Sequence, residues 1–477
     1  MANIYWQQFN GLSDSLFSGV RNSFYKMVGI DIHSKPGAFT VNQKLTKHSD
    51  TTITALCRVT IPVSDGSKLW FSYTNGKIWR ESGGTYTLVY TLNAVGGGVP
   101  EVGAGTTGCL GAKEYNSFIY WATQSRLHRI AVANIGSAAS WTSNAIPNWQ
   151  TFSITDAEFH PMVIQNASLF IGDGNYVSSV GSTAAFTPNA LNIVAPTRIK
   201  CMAPTDIDLV IGTIIATSVN FCWIIRWDTV QTAWQYSEPV WENGINSFLW
   251  DGSVLLAQAG TYGKLYYYDG SRLQDYKRIP GDWSPTKYGE IFPNATGILR
   301  GIPIFGFSNG SGNPCEQGIY SIGSYSKDYS KVLSLDYVIS EDVVSSISIG
   351  AIIVDGQNVY VSWQNGSTFG IDKLDYSAKY GSAYLETLRI TPDAVGSVQT
   401  ARVFANYQSL PAGTTITFSY KENNAASYVD LATVNDTEGK RLYAELTIEA
   451  RVYQFKAAIA VSTNDAPVFE LLGVEFV

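Results

Sequence analysis

The sequence predicts an all-β protein: a β-propeller of about seven blades, with an N-terminal arm and a C-terminal β-sandwich. Three observations lead to this prediction. A β-hairpin pattern recurs about every 40–55 residues, which is the spacing of propeller blades. The composition is low in charge and rich in glycine and aromatic residues, as many tight turns and strands require. Short alternating segments then fill the last part of the chain, and no convincing amphipathic helix interrupts them.

The composition also limits the possible functions. Only 15% of the 477 residues are charged, while Gly (43), Tyr (28) and Trp (13) are plentiful. The net charge of −7 argues against a broad surface for nucleic acid or anionic membrane, which would need clustered positive charge. A mildly acidic surface is still compatible with a conduit along which DNA slides without binding.

Residues 1–50 are predicted to form an arm and a docking or closing strand. A turn is expected at Lys35–Gly37, and residues 38–45 alternate like a strand. A segment with so little core of its own must dock on something. Two alternatives are open: the arm lends a closing strand to its own domain, or it contacts a neighbouring subunit.

The first repeat unit, Val63–Arg80, shows the hairpin pattern most clearly. Asp65-Gly66 opens it, a strand alternates over residues 69–73, and Asn75-Gly76 predicts a two-residue type I′ turn. The unit at residues 354–375 nearly copies it, with Asp355-Gly356 and a second Asn-Gly pair. The seven units begin near residues 63, 113, 164, 206, 250, 301 and 354. Residues 51–380 are therefore predicted to form the propeller, and six or eight blades remain alternatives.

Residues 381–477 are predicted to form the sandwich. Seven strand-length segments are separated there by turn residues such as Pro411-Ala412-Gly413 and Asn464-Asp465. The stretch Ile207–Ile225 approaches the length of a membrane span, but its polar residues favour two buried strands joined by a turn. No membrane insertion is predicted, and the N-terminus lacks the pattern of a secretory signal.

No catalytic, cofactor-binding or metal-binding residue is predicted. The histidines stand in unrelated contexts and the cysteines lack CxxC spacing, so the cysteines are expected to be buried free thiols. Residues 96–100 (GGGVP) lack the helix and lysine of a phosphate loop and are interpreted as a loop between blades. The histidines are His33, His48, His128 and His160, and the cysteines are Cys57, Cys109, Cys201, Cys222 and Cys315.

Several carboxylates and tyrosines are candidates for site residues. Asp173, Gly174 and Asn175 favour a turn over a calcium loop, because further acidic ligands are missing. Asp65, Asp251 and Asp355 recur in register with glycines, which indicates turns rather than a glycosidase site. The run Tyr266–Tyr268 favours packing between blades over sugar stacking or a subunit interface.

Both ends of the chain carry a family resemblance. The C-terminal run RVYQFKAAIAVSTNDAPVFELLGVEFV resembles the closing strands of sandwich modules in tailed-bacteriophage virion proteins. The arm, with its Pro-Gly strand before a propeller, resembles the tail hub or nozzle proteins of short-tailed phages. In those families, subunits form a ring below the portal and adaptor and surround the DNA channel.

The resemblance implies a non-enzymatic structural component of a phage tail, a ring-forming hub or nozzle subunit in the virion, made in the host cytoplasm. Its implied partners are other copies of itself, neighbouring virion proteins (portal or adaptor, tail fibre or spike) and DNA in passive contact. The alternative is a tail fibre or adhesion protein that binds a receptor or glycan with one propeller face. A propeller hydrolase is the third hypothesis, and no constellation of residues supports it.

Overall fold

The structure is a computed structural model of the chain. It describes residues 4–7, 9–17, 22–35, 37–49, 52–92, 108–154, 158–215, 220–250, 255–270, 272–324, 331–391, 399–408, 410–423, 425–435, 441–448 and 452–476. The predicted loop at residues 96–100 and the carboxylate of Asp251 lie outside these residues.

The first 50 residues contribute five short strands. They are β1 (Ile4–Trp6), β2 (Phe24–Val28), β3 (Ile30–Asp31), β4 (Thr40–Val41) and β5 (Gln43–Lys47).

Five four-stranded antiparallel sheets follow in chain order, and each consists of consecutive strands. The first holds β6 (Cys57–Pro62), β7 (Lys68–Ser72), β8 (Lys77–Ser82) and β9 (Thr85–Thr91). The second holds β10 (Gly111–Tyr115), β11 (Phe118–Ala122), β12 (Arg126–Ala131) and β13 (Ile146–Thr151), with a 3₁₀ turn (Val132–Asn134) and helix α1 (Ala138–Asn144) before β13. The third holds β14 (Met162–Gln165), β15 (Ser168–Asp173), β16 (Tyr176–Val180) and β17 (Phe186–Asn192). The fourth holds β18 (Thr197–Pro204), β19 (Leu209–Ile215), β20 (Cys222–Trp227) and β21 (Tyr236–Val240), and the fifth holds β22 (Ile245–Trp250), β23 (Leu255–Ala259), β24 (Lys264–Tyr268) and β25 (Leu273–Arg278).

The next strands complete the series and connect it to the arm. The sixth group holds β26 (Tyr288–Glu290), β27 (Thr296–Leu299), β28 (Ile302–Ser311), β29 (Gly318–Gly323) and β30 (Val332–Tyr337). The seventh sheet holds β31 (Ile347–Asp355), β32 (Asn358–Asn365) and β33 (Thr368–Lys379), and its fourth strand is β5 from the arm.

The last seven strands belong to two further layers. They are β34 (Ser382–Thr387), β35 (Gln399–Tyr407), β36 (Thr415–Glu422), β37 (Val429–Asn435), β38 (Arg441–Ile448), β39 (Tyr453–Ala460) and β40 (Phe469–Phe476). One layer has the order β1-β40-β35-β38. The other has the order β2-β34-β39-β36-β37 and continues through β30 into the sixth group, which makes a ten-stranded sheet.

The first strands of successive sheets lie side by side. β6 contacts β10, and contacts follow between β10 and β14, β14 and β18, β18 and β22, β22 and β27, and β27 and β31. β31 in turn contacts β6. The all-β prediction is confirmed, and the successive four-stranded sheets give the protein propeller character.

The arm packs on its own chain. β5 pairs antiparallel with β33, and its Leu45 is buried. β2 lies between β30, to which it is parallel, and β34, to which it is antiparallel. Phe24 and Met27 of β2 are completely buried. The closing strand within the chain is therefore present among the described residues.

The predicted type I′ turn at Asn75-Gly76 is wrong. Such a turn needs positive φ at both central residues, but only Gly76 has it (66°). β7 ends at Ser72 and β8 begins at Lys77, so four residues form the loop. The Asn75 side chain accepts a hydrogen bond from the Lys77 N–H (3.2 Å), and the Asn75 backbone does not adopt the left-handed conformation. Two consecutive residues with positive φ, as a type I′ turn needs, occur at Asn116 (50°) and Ser117 (65°), although neither is a glycine.

The apolar stretch before residue 226 is a strand pair, as predicted. β19 pairs antiparallel with β20, and the connection at residues 216–219 lies outside the described part. In the part of the chain that the structure describes, no helix is long and apolar enough to cross a membrane.

Candidate functional site

Irregularities interrupt the strand pairing in four of the sheets, each in the first strand of its sheet. In β6, β18, β22 and β31 the register with the neighbouring strand shifts so that one residue has no pairing partner. A bulge of this kind bends the strand and redirects a side chain. The four extra residues are Arg58, Lys200, Asn246 and Gly350.

Two of these residues join in a buried polar cluster. The Lys200 ammonium donates to Asn246 Oδ1 (2.6 Å) and to Glu290 Oε2 (2.6 Å). Asn246 donates in turn to Gln258 Oε1 (2.7 Å), and that oxygen also accepts the Ile291 N–H (3.2 Å). Since Lys200 is only 5% exposed, the carboxylate is needed to offset the cost of burying its charge.

Arg58 has a different environment. Its guanidinium carbon lies 3.9 Å from the centre of the Tyr73 ring and 4.0 Å from the centre of the Phe292 ring. Both rings attract the cation through their electron-rich faces. The buried Nε has no hydrogen-bond partner, and among the described residues no carboxylate forms an ion pair with Arg58. Burial lowers the pKa of Arg58 from its ordinary value, but an arginine pKa leaves it charged at neutral pH.

A cavity of about 90 Å³ lies between these side chains. Seven segments of the chain line it. They are parts of β6, β10, β14, β18 and β22 or the residues just before them, Tyr73 after β7, and the residues just before β27. The polar lining comes from Arg58, Lys200, Tyr73, Glu158 and Asn294. Asn294 holds the edge of this cavity in place. Its side chain donates to the Arg58 backbone carbonyl oxygen (3.1 Å), and its backbone carbonyl oxygen accepts the Ile352 N–H (2.8 Å).

A larger groove of about 670 Å³ lies between the arm, the sixth and seventh sheets and the loop before β40. His33 Nε2 lies 2.9 Å from Ser321 Oγ at this groove. Ser334 Oγ lies 3.2 Å from the Ser321 hydroxyl and donates to Asp336, and burial raises the pKa of Asp336 to about 8.

This polar network lacks the geometry of a nucleophilic site. A serine nucleophile must reach the substrate, and its histidine must be oriented by a third group. Ser321 is completely buried, and the buried Nδ1 of His33 has no partner among the described residues. The acid bonds to Ser334 rather than to the histidine. Among the described residues of the groove, Ser321, His33 and Asp336 therefore do not form a serine nucleophile with its base and orienting acid.

The four histidines lie apart. His48 Nδ1 is 2.9 Å from the Tyr86 hydroxyl on the side of the first sheet. His128 stacks on Trp121, and burial lowers the pKa of His128 to about 3. His160 is completely buried, with its ring nitrogens 2.7 Å from the Gly172 carbonyl and 3.1 Å from the Gln124 carbonyl. Within the described ranges, no group of three or more His, Cys, Asp or Glu residues could hold a metal ion.

The other sequence candidates have structural partners. Asp173 accepts the Ser153 N–H (2.8 Å) and the Ile154 N–H (3.2 Å), as a loop-fixing carboxylate does. Asp65 accepts the Ser67 N–H (2.9 Å). Asp355 lies 3.5 Å from the Lys68 ammonium and so links the seventh sheet to the first.

The tyrosine run and the cysteines are packing residues in this structure. Tyr266 and Tyr268 are buried, and the Tyr266 hydroxyl donates to Glu242 Oε1 (2.8 Å). All five cysteines are free and buried, as the sequence predicted. Burial raises the pKa of their thiols, to about 12 for Cys109 and Cys222, so they are poor nucleophiles.

Sequence reasoning missed the bulged residues. Each interrupts an apolar run four to six residues before a repeat unit begins, as in CRV, IKC and INS. A polar residue or a glycine at that recurring position is the signal that could identify them. Strict alternation along a strand does not predict such an extra residue.

Comparisons with known proteins concern the fold alone. No protein-family model and no curated protein matches the chain. Among solved structures, the extracellular domain of a one-component system protein from B. thetaiotaomicron matches with a TM-score of 0.48 and 13% identity over 84% of this chain and 48% of that one. The chain thus spans about half the length of that domain. The WD40 repeats of RRP9 match with a TM-score of 0.47 and 8% identity over 70% of this chain and 99% of theirs. Virginiamycin B lyase from Staphylococcus aureus matches with a TM-score of 0.45 and 13% identity over 69% and 98%.

Proposed function

We propose that this protein is a non-enzymatic structural component of a phage tail, a ring-forming hub or nozzle subunit around the DNA channel. The observation that carries the proposal is the path of the arm, because three of its strands fasten separate parts of the molecule together. β1 joins one C-terminal layer, β2 connects the other layer to the sixth group, and β5 completes the seventh sheet.

The proposal includes a closed propeller of seven blades over residues 51–380, completed by β5 from the arm. The contacts that run from first strand to first strand and return from β31 to β6 support it. So does the pairing of β5 with β33, because a fourth strand supplied from the opposite chain end holds a ring of sheets shut.

The proposal also includes a β-sandwich over residues 381–477, with the arm of residues 1–50 adding the edge strand β1 to one layer and the internal strand β2 to the other. Apolar side chains from both layers lie together around a narrow space that includes Trp6, Phe418, Phe455 and Leu472. Two antiparallel sheets that share such a core have the anatomy of a sandwich.

Shared strands suit a load-bearing part of a virion. The hydrogen bonds of β2 and its buried Phe24 couple the sixth group to the C-terminal layers, so one cannot turn freely against the other. Such a body can act as a spacer between other copies of itself and neighbouring virion proteins. The cavity of about 90 Å³ beside Arg58 cannot admit duplex DNA, so the DNA channel would lie between subunits, with only passive contact.

Mass photometry and negative-stain imaging of the purified protein test this function. A closed ring of uniform subunit number is the expected result, and antibody labelling should place the protein beneath the portal in virions. A chain that stays monomeric at every concentration and is absent from virion tails contradicts the proposal. Deleting the arm is not a clean test, because it would expose the core around Phe24.

One observation favours the alternative role in receptor or glycan binding. Trp241 is 78% exposed, and its ring lies 5.2 Å from Phe221, which in turn lies 5.0 Å from Trp223. Exposed aromatic faces of this kind stack on sugar rings. Saturable binding on a glycan array that is lost in Trp241→Ala would support this alternative, whereas equal signals from both proteins would count against it.

A further inference from the structure

The guanidinium edge of Arg58, part of which interacts with the Tyr73 hydroxyl, is the starting point for an additional site. Its two faces are covered by Tyr73 and Phe292, at 3.9 and 4.0 Å. Stacking of this kind leaves only the in-plane N–H groups available for hydrogen bonds. The Nε–H is buried without a partner, although a buried donor of a charged group normally has one.

The charges around the cavity leave Arg58 without an ion-pair partner among the described residues, and the Glu290 carboxylate stabilises its charge only from beyond ion-pair distance. Lys200 and Glu290 form a pair (2.6 Å), so their charges offset each other. Glu158 also lines the cavity, but it is exposed to solvent, and no ion pair joins it to Arg58 within the described part of the chain. The remaining positive charge is held in place by aromatic rings inside a partly desolvated space, where it attracts anions more strongly than at an open surface.

The cavity has room for a small group. A volume of about 90 Å³ is well above what one water molecule needs, so a group of a few heavy atoms such as a carboxylate or phosphate can enter. A guanidinium edge matches the two oxygens of either group in a bidentate hydrogen-bonded pair.

We propose that the cavity beside Arg58 binds a small oxyanion, a carboxylate or a phosphate, through the in-plane N–H groups of Arg58. The aromatic rings hold the guanidinium in one orientation before the anion arrives, which lowers the entropic cost of binding. The site is independent of the tail function proposed above, and it applies equally to a free anion and to an acidic side chain that a partner inserts.

Calorimetric titration of the full-length protein with inorganic phosphate and with acetate, at constant ionic strength, tests the site. We expect saturable binding of at least one of them with one anion per chain. Arg58→Met should weaken binding at least tenfold while its unbranched chain still fills the space between the rings. Glu158→Gln should strengthen binding, because it removes a negative charge from the lining.

Arg402→Met is the matched control, since it removes the same charge from an exposed pair with Glu445 in the C-terminal part. Binding should be unchanged in this variant. Near-ultraviolet circular dichroism will report whether each variant keeps its packed tryptophans. If wild-type protein binds neither anion, or if folded Arg58→Met binds as tightly as wild type, the site does not exist. Phosphate-only or acetate-only binding supports it and identifies the preferred anion, and an acidic peptide that competes with that anion would point to a partner side chain.

Discussion

Asp336 shows how burial changes the chemistry of one residue. It lies on β30 at the groove, it is 5% exposed, and burial raises its pKa to about 8. The Ser334 and Ser321 hydroxyls act in the opposite direction by stabilising the carboxylate, while the negative charge of Asp31 adds to the effect of burial. At neutral pH the native protein therefore holds this acid mainly in its neutral form.

This protonation predicts a loss of stability as the pH rises. The unfolded chain releases the proton near pH 3.8 and the native chain near pH 8, so between these values the native state binds one proton more. Its free energy of unfolding then falls by at most about 1.4 kcal/mol per pH unit. Asp336→Asn, which resembles the neutral acid, should exceed the stability of wild type at pH 8, and its advantage should shrink towards pH 5.

Urea unfolding at pH 5, 6, 7 and 8 measures this difference. Asp282→Asn is the control, because Asp282 is an exposed partner of Lys287. Its effect should hardly depend on pH in this range. If Asp336→Asn keeps the full pH dependence of wild type, the carboxyl group is ionised in the native protein and our assignment is wrong.

At the scale of strands, the hairpins could be predicted but their irregularities could not. Turn residues and alternation are local properties, and the strand pairs lie where the repeat units predicted them, as at β15 and β16. The bulges depend on how one first strand meets the next, which the local pattern does not record. The turn predicted at Asn75 is wrong because the Asn75 side chain accepts a hydrogen bond from the Lys77 N–H, which stabilises a longer loop.

Gly350, in the bulge of β31, allows a test of how closely β31 approaches β6. A Cβ added at Gly350 would lie 2.2 Å from the Cys57 carbonyl oxygen and 2.8 Å from Leu56 Cδ1, so the backbone of β6 would have to move. Overpacking of this kind costs about 1–3 kcal/mol. Gly350→Ala should therefore lower the midpoint of thermal unfolding, measured by calorimetry.

Gly136→Ala is the matched control for this substitution. Nothing lies within 4 Å of a Cβ built there, and its φ is not in the left-handed region. The change should leave the midpoint unchanged or raise it slightly, because alanine restricts the unfolded chain. Equal midpoints for the two variants would mean that β31 and β6 are not packed as closely as described.

At the scale of the whole molecule, the contacts of the arm are what the sequence predicts least completely. Its closing strand was one of two alternatives, since residues 38–45 alternate. The role of β2 was not predicted, because FYKMV is too short to show which distant strands flank it. One apolar cluster includes the arm, the sixth and seventh sheets and the C-terminal layers, whereas the second to fourth sheets pack in separate clusters.

This shared cluster predicts that the arm couples the stability of the sixth group to that of the C-terminal layers. Phe24 is completely buried and stacks on Trp6 (5.7 Å) and Phe9 (6.0 Å). Phe24→Ala should cost about 3–5 kcal/mol, as the loss of a buried phenylalanine does. Because β2 bonds both β30 and β34, amide hydrogen exchange should speed up in both strands together, measured by mass spectrometry of peptides from residues 331–337 and 382–387.

Phe170→Ala provides the comparison on the other side of the molecule. Phe170 is buried in the cluster of the third and fourth sheets, with its ring 5.3 Å from Trp227. Its loss should speed exchange in those sheets and leave β30 and β34 protected. If Phe24→Ala exposes β34 but not β30, the two parts unfold independently, and the rigid body on which the proposed tail function depends would be lost.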